Sequence, residues 1–389
     1  MNLFITGLNR EWQRIISQPS YWASLFLLPL VAFVIVWAIV ITPNITDVSL
    51  DIVDLDGSKA SRDLAFRLDA SASVVVEHIL HSEQRALERA KGKESFGFLV
   101  IPKGYHGKLV SGQFVELNAY VNQQNFMLGN ILSNQIIRQV IEDGTKESAL
   151  ELMMGGQIKE QALANVYPLK LSRSVLGNSY LNYQSFLLAA LLPHLWHVIV
   201  MMVTVIALGS EFKNGSVKQW MQVSNNRLSL AMLTKFSVPV LVMAIWICLI
   251  DIFVFRMLGA GGYASLGSLL VASWLTQLCY HFAGFLIVAI TTNYRLSLSA
   301  AAFYTTPAFA FVGVTFPTFN MNWMSQLWQS LLPISVLIQV QNDILHWGAT
   351  LFDVWPKLTI VALYALLFGV LGMLTIRKKL YDKHYWFKH

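Results

Sequence analysis

The chain has 389 residues, a net charge of +6, and only 13% charged residues against 55% hydrophobic ones, where a soluble domain carries roughly 25% charge. This composition excludes an ordinary soluble globular protein and points to the membrane class. No nucleic-acid-binding motif accompanies the positive balance, which a basic face against anionic lipid headgroups explains. The only two cysteines, Cys248 and Cys279, fall in apolar runs, so neither a disulfide framework nor a cysteine-based metal site is expected.

The charge is unevenly placed. Residues 44–173 hold 14 Lys/Arg and 16 Asp/Glu, which leaves 14 basic and 6 acidic residues for the remainder. All 12 tryptophans lie outside 44–180, and tryptophan favours membrane–water interfaces. Both observations separate a soluble insert from a membrane part.

In chain order, residues 1–20 place Leu3, Phe4, Leu8, Trp12, Ile15 and Ile16 at near-helical spacing, with Arg10, Glu11 and Arg14 on the opposite side. This predicts an interfacial, cytoplasmic amphipathic helix. The first span follows within 21–43, since ~20 apolar residues cross a bilayer core. It is too long for a signal-peptide core, and Pro29 is expected to kink it.

Residues 44–180 read as a mixed α/β domain. Strand-like runs at 49–54, 73–76, 96–101 and 114–121 alternate with helical patterns at 58–68, 83–91 and 105–111. A long helical stretch at 126–154, interrupted at Gly144, suggests a stalk back to the membrane. Apolar runs at 186–208, 236–255, 269–290, 296–316 and 358–376 make the total six spans, and the five later ones form a bundle over 181–376. The shorter segment 323–342 contains Pro333 and reads as re-entrant or interfacial. A basic cytoplasmic tail occupies 377–389.

The expected fold is therefore a polytopic α-helical membrane protein with six transmembrane helices. Its mixed α/β extracytoplasmic domain is inserted between the first and second spans. With both termini inside, the inner segments hold 12 Lys/Arg and the short outer loops only Arg256 and Lys357. The positive-inside bias thus sets both termini in the cytoplasm.

No G-x-x-x-x-G-K-S/T, G-x-S-x-G or H-E-x-x-H motif occurs, so no enzyme activity, cofactor or metal is expected of this chain. Asp251 lies within the third span, where a charge is a functional-site hypothesis by default. It either lines a pathway or pairs with Arg256 five residues on. His194, His197 and His281 suit a proton relay or helix–helix hydrogen bonds. Trp323, Trp328, Trp347 and Trp355 suit an interfacial belt or a ligand cage.

Four segments, taken together and in order, resemble one family. "DIVDLDGSKASRDLAFRLDAS" (51–71) is similar to a strand, V-D-x-D turn and helix. "FGFLVIPKGYHGKLVSGQFVELNAYVNQQN" (96–125) carries I-P-x-x-F/Y. "LNYQSFLLAALLPHLWHV" (181–198) resembles an N-Y-x-x-F span entry, and "GSEFKNGSVKQWM" (209–221) an E-x-x-x-G-S/T cytoplasmic helix. The chain resembles the type-2 permease of ABC exporters, the membrane subunit with a large extracytoplasmic domain.

The resemblance implies a bacterial inner-membrane exporter subunit for an amphipathic or hydrophobic cargo such as a drug or lipid. It would work as a dimer with a second permease copy, two cytoplasmic ABC ATPase subunits supplying the energy. A periplasmic adaptor and an outer-membrane channel are possible further partners, beside membrane lipids. By the same resemblance Glu211, Lys213, Asn214 and Gly215 dock the ATPase, the alternative being an ordinary charged loop. Glu11 and Arg14 form a second docking element or an anchor. Apart from the resemblance, their place within spans makes Asp251 and His281 candidates for a substrate pathway, beside the structural alternatives given above. The competing function is a membrane receptor or assembly scaffold whose outer domain binds a ligand or protein.

Overall fold

The computed structural model describes residues 2–39, 47–92, 94–111, 113, 115–122, 126–154, 158, 183–257, 265–314, 318 and 321–387. The expected end of the soluble domain, 159–180, lies outside them. Two units divide the chain: Met1–Pro43 with Val175–His389, and Asn44–Ser174.

Helix α1 (Asn2–Ser17) precedes α2 (Pro19–Trp22), a π-helical turn (Ala23–Leu27) and α3 (Leu28–Ile39). The irregularity sits at Pro29. Proline has no N–H for the Leu25 carbonyl four residues back, and Trp246 Nε1 donates to that carbonyl at 3.2 Å instead. Helix α1 is amphipathic in an unexpected sense. Leu3, Ile5, Trp12 and Ile16 are exposed, whereas Glu11 and Ile15 are buried. The acidic residue thus turns toward protein, and the apolar edge is left for lipid.

The inserted unit runs β1 (Val48–Asp54), α4 (Lys59–Asp69), β2 (Val74–Leu80), α5 (Glu83–Lys91), β3 (Gly97–Ile101), α6 (Tyr105–Val110), β4 (Asn118–Val121) and α7 (Phe126–Met154). The sheet order is β2-β1-β3-β4. β1 is parallel to β2 and β3, and β4 closes the edge antiparallel to β3. Successive side chains of a strand point to opposite faces. Leu50, Ile52, Leu99 and Ile101 accordingly pack with α4, Tyr105 of α6 and Leu132 and Ile136 of α7. Val53, Phe98 and Val100 cover Ala86 of α5 on the other side. The first half of α7 is therefore part of this core, not a free stalk, and the helix runs through Gly144 without a break.

The two sequence segments that carry "VDLDGS" and "IPKGY" meet at the carboxyl ends of β1 and β3. Asp54 accepts from the Asp56 and Gly57 amides at 3.0 and 2.9 Å and from the Ser61 hydroxyl at 2.8 Å. Asp56 accepts from the Gly104 and His106 amides at 2.8 and 3.2 Å, which satisfies the start of α6. On the sheet, Asp51, Glu77 and His78 lie close enough to share a metal ion. A guanidinium already serves that cluster: Arg89 bonds Asp51 at 2.8 Å and reaches Glu77 and Glu94.

The membrane unit continues with α8 (Tyr183–Lys213), α9 (Val217–Val223), α10 (Leu228–Met257), α11 (Leu266–Thr291), α12 (Tyr294–Thr305), α13 (Ala308–Phe311), α14 (Trp323–Ser330), α15 (Pro333–Trp347) and α16 (Leu351–Lys379). Among the described residues, five segments are long and apolar enough to cross a membrane: Pro19–Ala38, Leu188–Lys213, Leu228–Arg256, Leu266–Thr291 and Leu351–Lys379. Over their apolar windows α8 is 78% buried and α16 22%, so α8 forms the middle of the bundle and α16 faces lipid.

The run 296–316, expected as another span, is not one helix. Helix α12 stops at Thr305 after 12 residues, about 18 Å, well short of a ~30 Å hydrocarbon core. Pro307 removes a donor, and α13 adds a single turn. From α8, His197 faces the Thr305 carbonyl and His194 the Thr306 carbonyl at this break.

The 323–342 segment is likewise two helices, broken between Ser330 and Pro333. Three tyrosines satisfy the backbone there. Tyr304 donates to the Leu331 carbonyl at 2.7 Å, Tyr364 donates to the Ser330 carbonyl, and the Ile334 amide donates to Tyr280 at 3.1 Å. Non-helical backbone at membrane depth needs such protein partners. Trp323, Trp347 and Trp355 are exposed, whereas Trp328 is half-buried with its ring edge-on to Phe303 and Tyr304.

Candidate functional site

Helix α8 ends in a turn that needs glycine. Gly215 has φ +65, a left-handed conformation that costs an L side chain roughly 1–2 kcal/mol. The Gly215 amide bonds the Phe212 carbonyl at 3.2 Å, and the Ser216 amide bonds the Glu211 carbonyl at 2.9 Å. This is a Schellman cap. It turns the chain into the short helix α9, which Trp220 ties to α10 by donating to the Ala231 carbonyl at 3.2 Å.

Beneath this turn lies a buried ion network. Arg10 grips both Glu211 oxygens at 2.7 and 3.0 Å. Arg14 pairs with the same carboxylate and donates to Ser210 Oγ at 2.7 Å. Ser216 donates to Glu211 Oε2. Lys235 of α10 bridges Glu211 at 2.6 Å and Glu11 at 2.7 Å, and Tyr21 donates to Glu11 at 2.7 Å.

Glu11, Glu211 and Lys235 are each no more than 1% exposed. Burial pulls the Arg10 and Arg14 guanidiniums below the usual arginine value, against the opposing attraction of Glu11. Two carboxylates thus hold three cations, and one hub joins α1, α8 and α10. Gly7 lets α1 and α10 close on each other, since a Cβ there would sit 2.7 Å from Thr234. Breaking one partner of such a buried set typically costs about 3–5 kcal/mol, because it strands an uncompensated charge.

The structure therefore brings Glu11, Arg14 and Glu211 together, but as an internal joint. What the turn presents outward is different. Asn214, Lys218 and Gln219 are exposed. Lys213 is half-buried with its ammonium 4.8 Å over the Tyr294 ring. Gly215 sits under Phe387, whose amide donates to the Phe212 carbonyl at 2.8 Å, so the C-terminal segment also reaches this turn.

Sequence reasoning missed Arg10, Lys235, Tyr21, Ser210 and Ser216 as members of the network. The available signal was a lysine abutting the apolar run that starts at 236, within reach of acidic residues on neighbouring helices.

Asp251 and His281 are both buried, but they serve separate contacts. His281 Nδ1 lies 2.7 Å from Thr204 Oγ1, a helix–helix hydrogen bond between α11 and α8. Asp251 interacts with Ser273, about 12 Å along α11 from His281. No ion pair joins Asp251 to Arg256 among the described residues; five helical positions rotate the two by about 140°, and Arg256 is exposed.

Comparison with known proteins locates this architecture. A family model described as ABC-2 family transporter protein matches residues 19–374. The chain is also similar to the probable multidrug ABC transporter permease YbhR of Escherichia coli strain K12 and to its counterpart in Escherichia coli O157:H7. Each is 23% identical over 359 residues, covering 91% of this chain and 92% of the relative.

Proposed function

Because the chain belongs to the ABC-2 family of transporter proteins, we propose that it is the permease subunit of an ATP-driven exporter. Its cargo would be amphipathic or hydrophobic and would leave the cytoplasm or the inner membrane. The family's chains are membrane subunits, and ATP hydrolysis falls to separate partner subunits. Two similar relatives named as probable multidrug permeases support this cargo class.

The observation that carries the coupling step is the joint under the α8–α9 turn. A partner ATPase binds the exposed surface of Asn214 and Lys218, beside Lys213 and Gly215. Its closure pushes the turn. Glu211 shares its carboxylate with Arg10, Arg14 and Lys235, so the push reaches α1, α8 and α10 together. Glu11 and Arg14 act here as force-bearing contacts within the permease. A second permease copy completes the pathway, with Asp251 and His281 among its lining groups. The inserted α/β unit lies outside the cytoplasm and meets cargo, an adaptor or an outer-membrane channel.

The test is co-purification with the ATPase, followed by reconstitution into vesicles and ATP-driven movement of a fluorescent amphipathic dye. Transport should require both subunits and stop when the ATPase Walker lysine is replaced. Isolation of the chain without any ATPase, with dye movement independent of ATP, would overturn the reading.

A further inference from the structure

The lipid side of the bundle carries a groove of about 350 Å³ between α11 and α16. Phe282, Ala365, Leu366, Gly369, Val370 and Leu374 line it, and its walls offer almost no polar atom. Leu366, Val370 and Leu374 are 62%, 47% and 57% exposed, so the groove is open to the bilayer along its length.

The same helix face ends in positive charge. Arg377 follows Leu366 by eleven residues, which returns it to within about 20° of Leu366 around the helix. Lys378 lies about 40° from Leu374 but about 120° from Leu366 around the helix, so it stands at the edge of that stripe. From Gly369 to Arg377 the rise is about 12 Å, close to the half-thickness of a ~30 Å hydrocarbon core. The groove therefore spans one leaflet's chain region, and Arg377 stands at headgroup level.

The cations at this end are not equivalent. Lys379 donates to the Ala289 carbonyl at 3.0 Å and to the Ile290 carbonyl, so it closes the end of α11. Arg377 and Lys378 are exposed and make no ion pair or hydrogen bond among the described residues. One unused cation, Arg377, thus stands in line with the apolar slot, and a second, Lys378, stands at its edge.

We infer that this face binds one anionic phospholipid, with an acyl chain in the groove and its phosphate on Arg377 and Lys378. Charge complementarity selects the occupant: a zwitterionic lipid fills the slot but leaves the two cations without a net counter-charge. A cation beside an anionic headgroup contributes enough that its loss should weaken the preference about fivefold.

The test uses the full chain in nanodiscs of equal parts phosphatidylglycerol and phosphatidylcholine, with retained lipid read by native mass spectrometry after release. The wild type should keep one lipid, phosphatidylglycerol over phosphatidylcholine. Arg377→Gln should reduce that preference about fivefold, and Arg377→Gln with Lys378→Gln should abolish it. Val370→Trp fills the groove from its open side and should lower retention of both lipids. An unchanged thermal transition certifies that each variant is folded. Undiminished preference in the double variant, or full retention in Val370→Trp, overturns the inference. So does a change of oligomeric state in Val370→Trp with lipid retention intact, which would make the groove a surface for a second copy.

Discussion

Lys235 and Glu211 meet at 2.6 Å, with both side chains wholly sealed from solvent. They belong to different long helices and converge on one point beneath the α8–α9 turn. The strength of that contact lies in what its loss exposes, because each charge was desolvated on the condition of having the other.

Replacing Lys235 with Met strands the buried Glu11 carboxylate, left among the described residues with only the Tyr21 hydroxyl, while Glu211 keeps Arg10 and Arg14. Stability should fall by about 3–5 kcal/mol, read as the thermal transition of the purified chain in detergent. Adding Glu11→Gln removes the stranded charge and should recover part of the loss. Equal stability of Lys235→Met and wild type would mean that the joint holds nothing.

Lys218 and Glu211 should separate docking from internal structure. Lys218→Glu reverses an exposed charge and should weaken ATPase co-purification roughly tenfold or more, as like-charge contacts at interfaces do, while the thermal transition stays put. Glu211→Arg should lower that transition before any docking effect can be read. The assignment of the outward surface fails if Lys218→Glu leaves association unchanged.

Gly215→Ala tests two effects at one atom. The left-handed φ alone should cost about 1–2 kcal/mol, and the new methyl also meets the Phe387 ring. In a Phe387→Ala background the ring contribution disappears and only the backbone cost remains. A double-mutant cycle on thermal stability measures the difference; strict additivity would show that the Phe387 ring does not press on the turn.

Asp56 gives the inserted unit an acid-sensitive bridge. Burial is the largest single influence and opposes its ionisation, but the Ser58 side chain and the amides of His106, Gly104 and Tyr105 together bring its carboxyl below the ordinary value. A depressed folded-state pKa stabilises above the unfolded value, near 3.9, and that contribution is lost as pH falls through the folded value. Asp56→Ala should therefore destabilise the chain at pH 7 and make progressively less difference below about pH 4. A wild-type-minus-variant difference that is flat from pH 7 to pH 3 would contradict the bridge.

The parts of the fold legible in sequence were those carried by local periodicity. Strands at 49–54 and 96–101 were readable because Leu50, Ile52, Leu99 and Ile101 are apolar on one face, and β1 and β3 are apolar enough on the other to be covered twice. Ser58 and Asn293 cap their helices in ways a short window can suggest. The helix break at Pro307 was hidden because hydropathy averages over one proline, and the histidines that face the Thr305 and Thr306 carbonyls there lie about 110 residues away in sequence. The ion network was illegible for the same reason. Arg10 and Glu211 are 201 residues apart, and nothing local distinguishes a buried carboxylate from a cytoplasmic one. Glu11 and Arg14 read as one element and Glu211 as part of another; that the three converge, and face inward, needed the tertiary contacts.

The outward apolar edge and inward carboxylate of α1 bear on how the chain is made. Glu11 finds Lys235 only after 224 further residues have been added, and synthesis at about 5–20 residues per second makes that delay about 11–45 s. Throughout that interval α1 stays tethered to the span that follows it, with Leu3, Trp12 and Ile16 on the bilayer surface and its charges still hydrated. Its seating therefore waits for α10, although α1 itself is made long before.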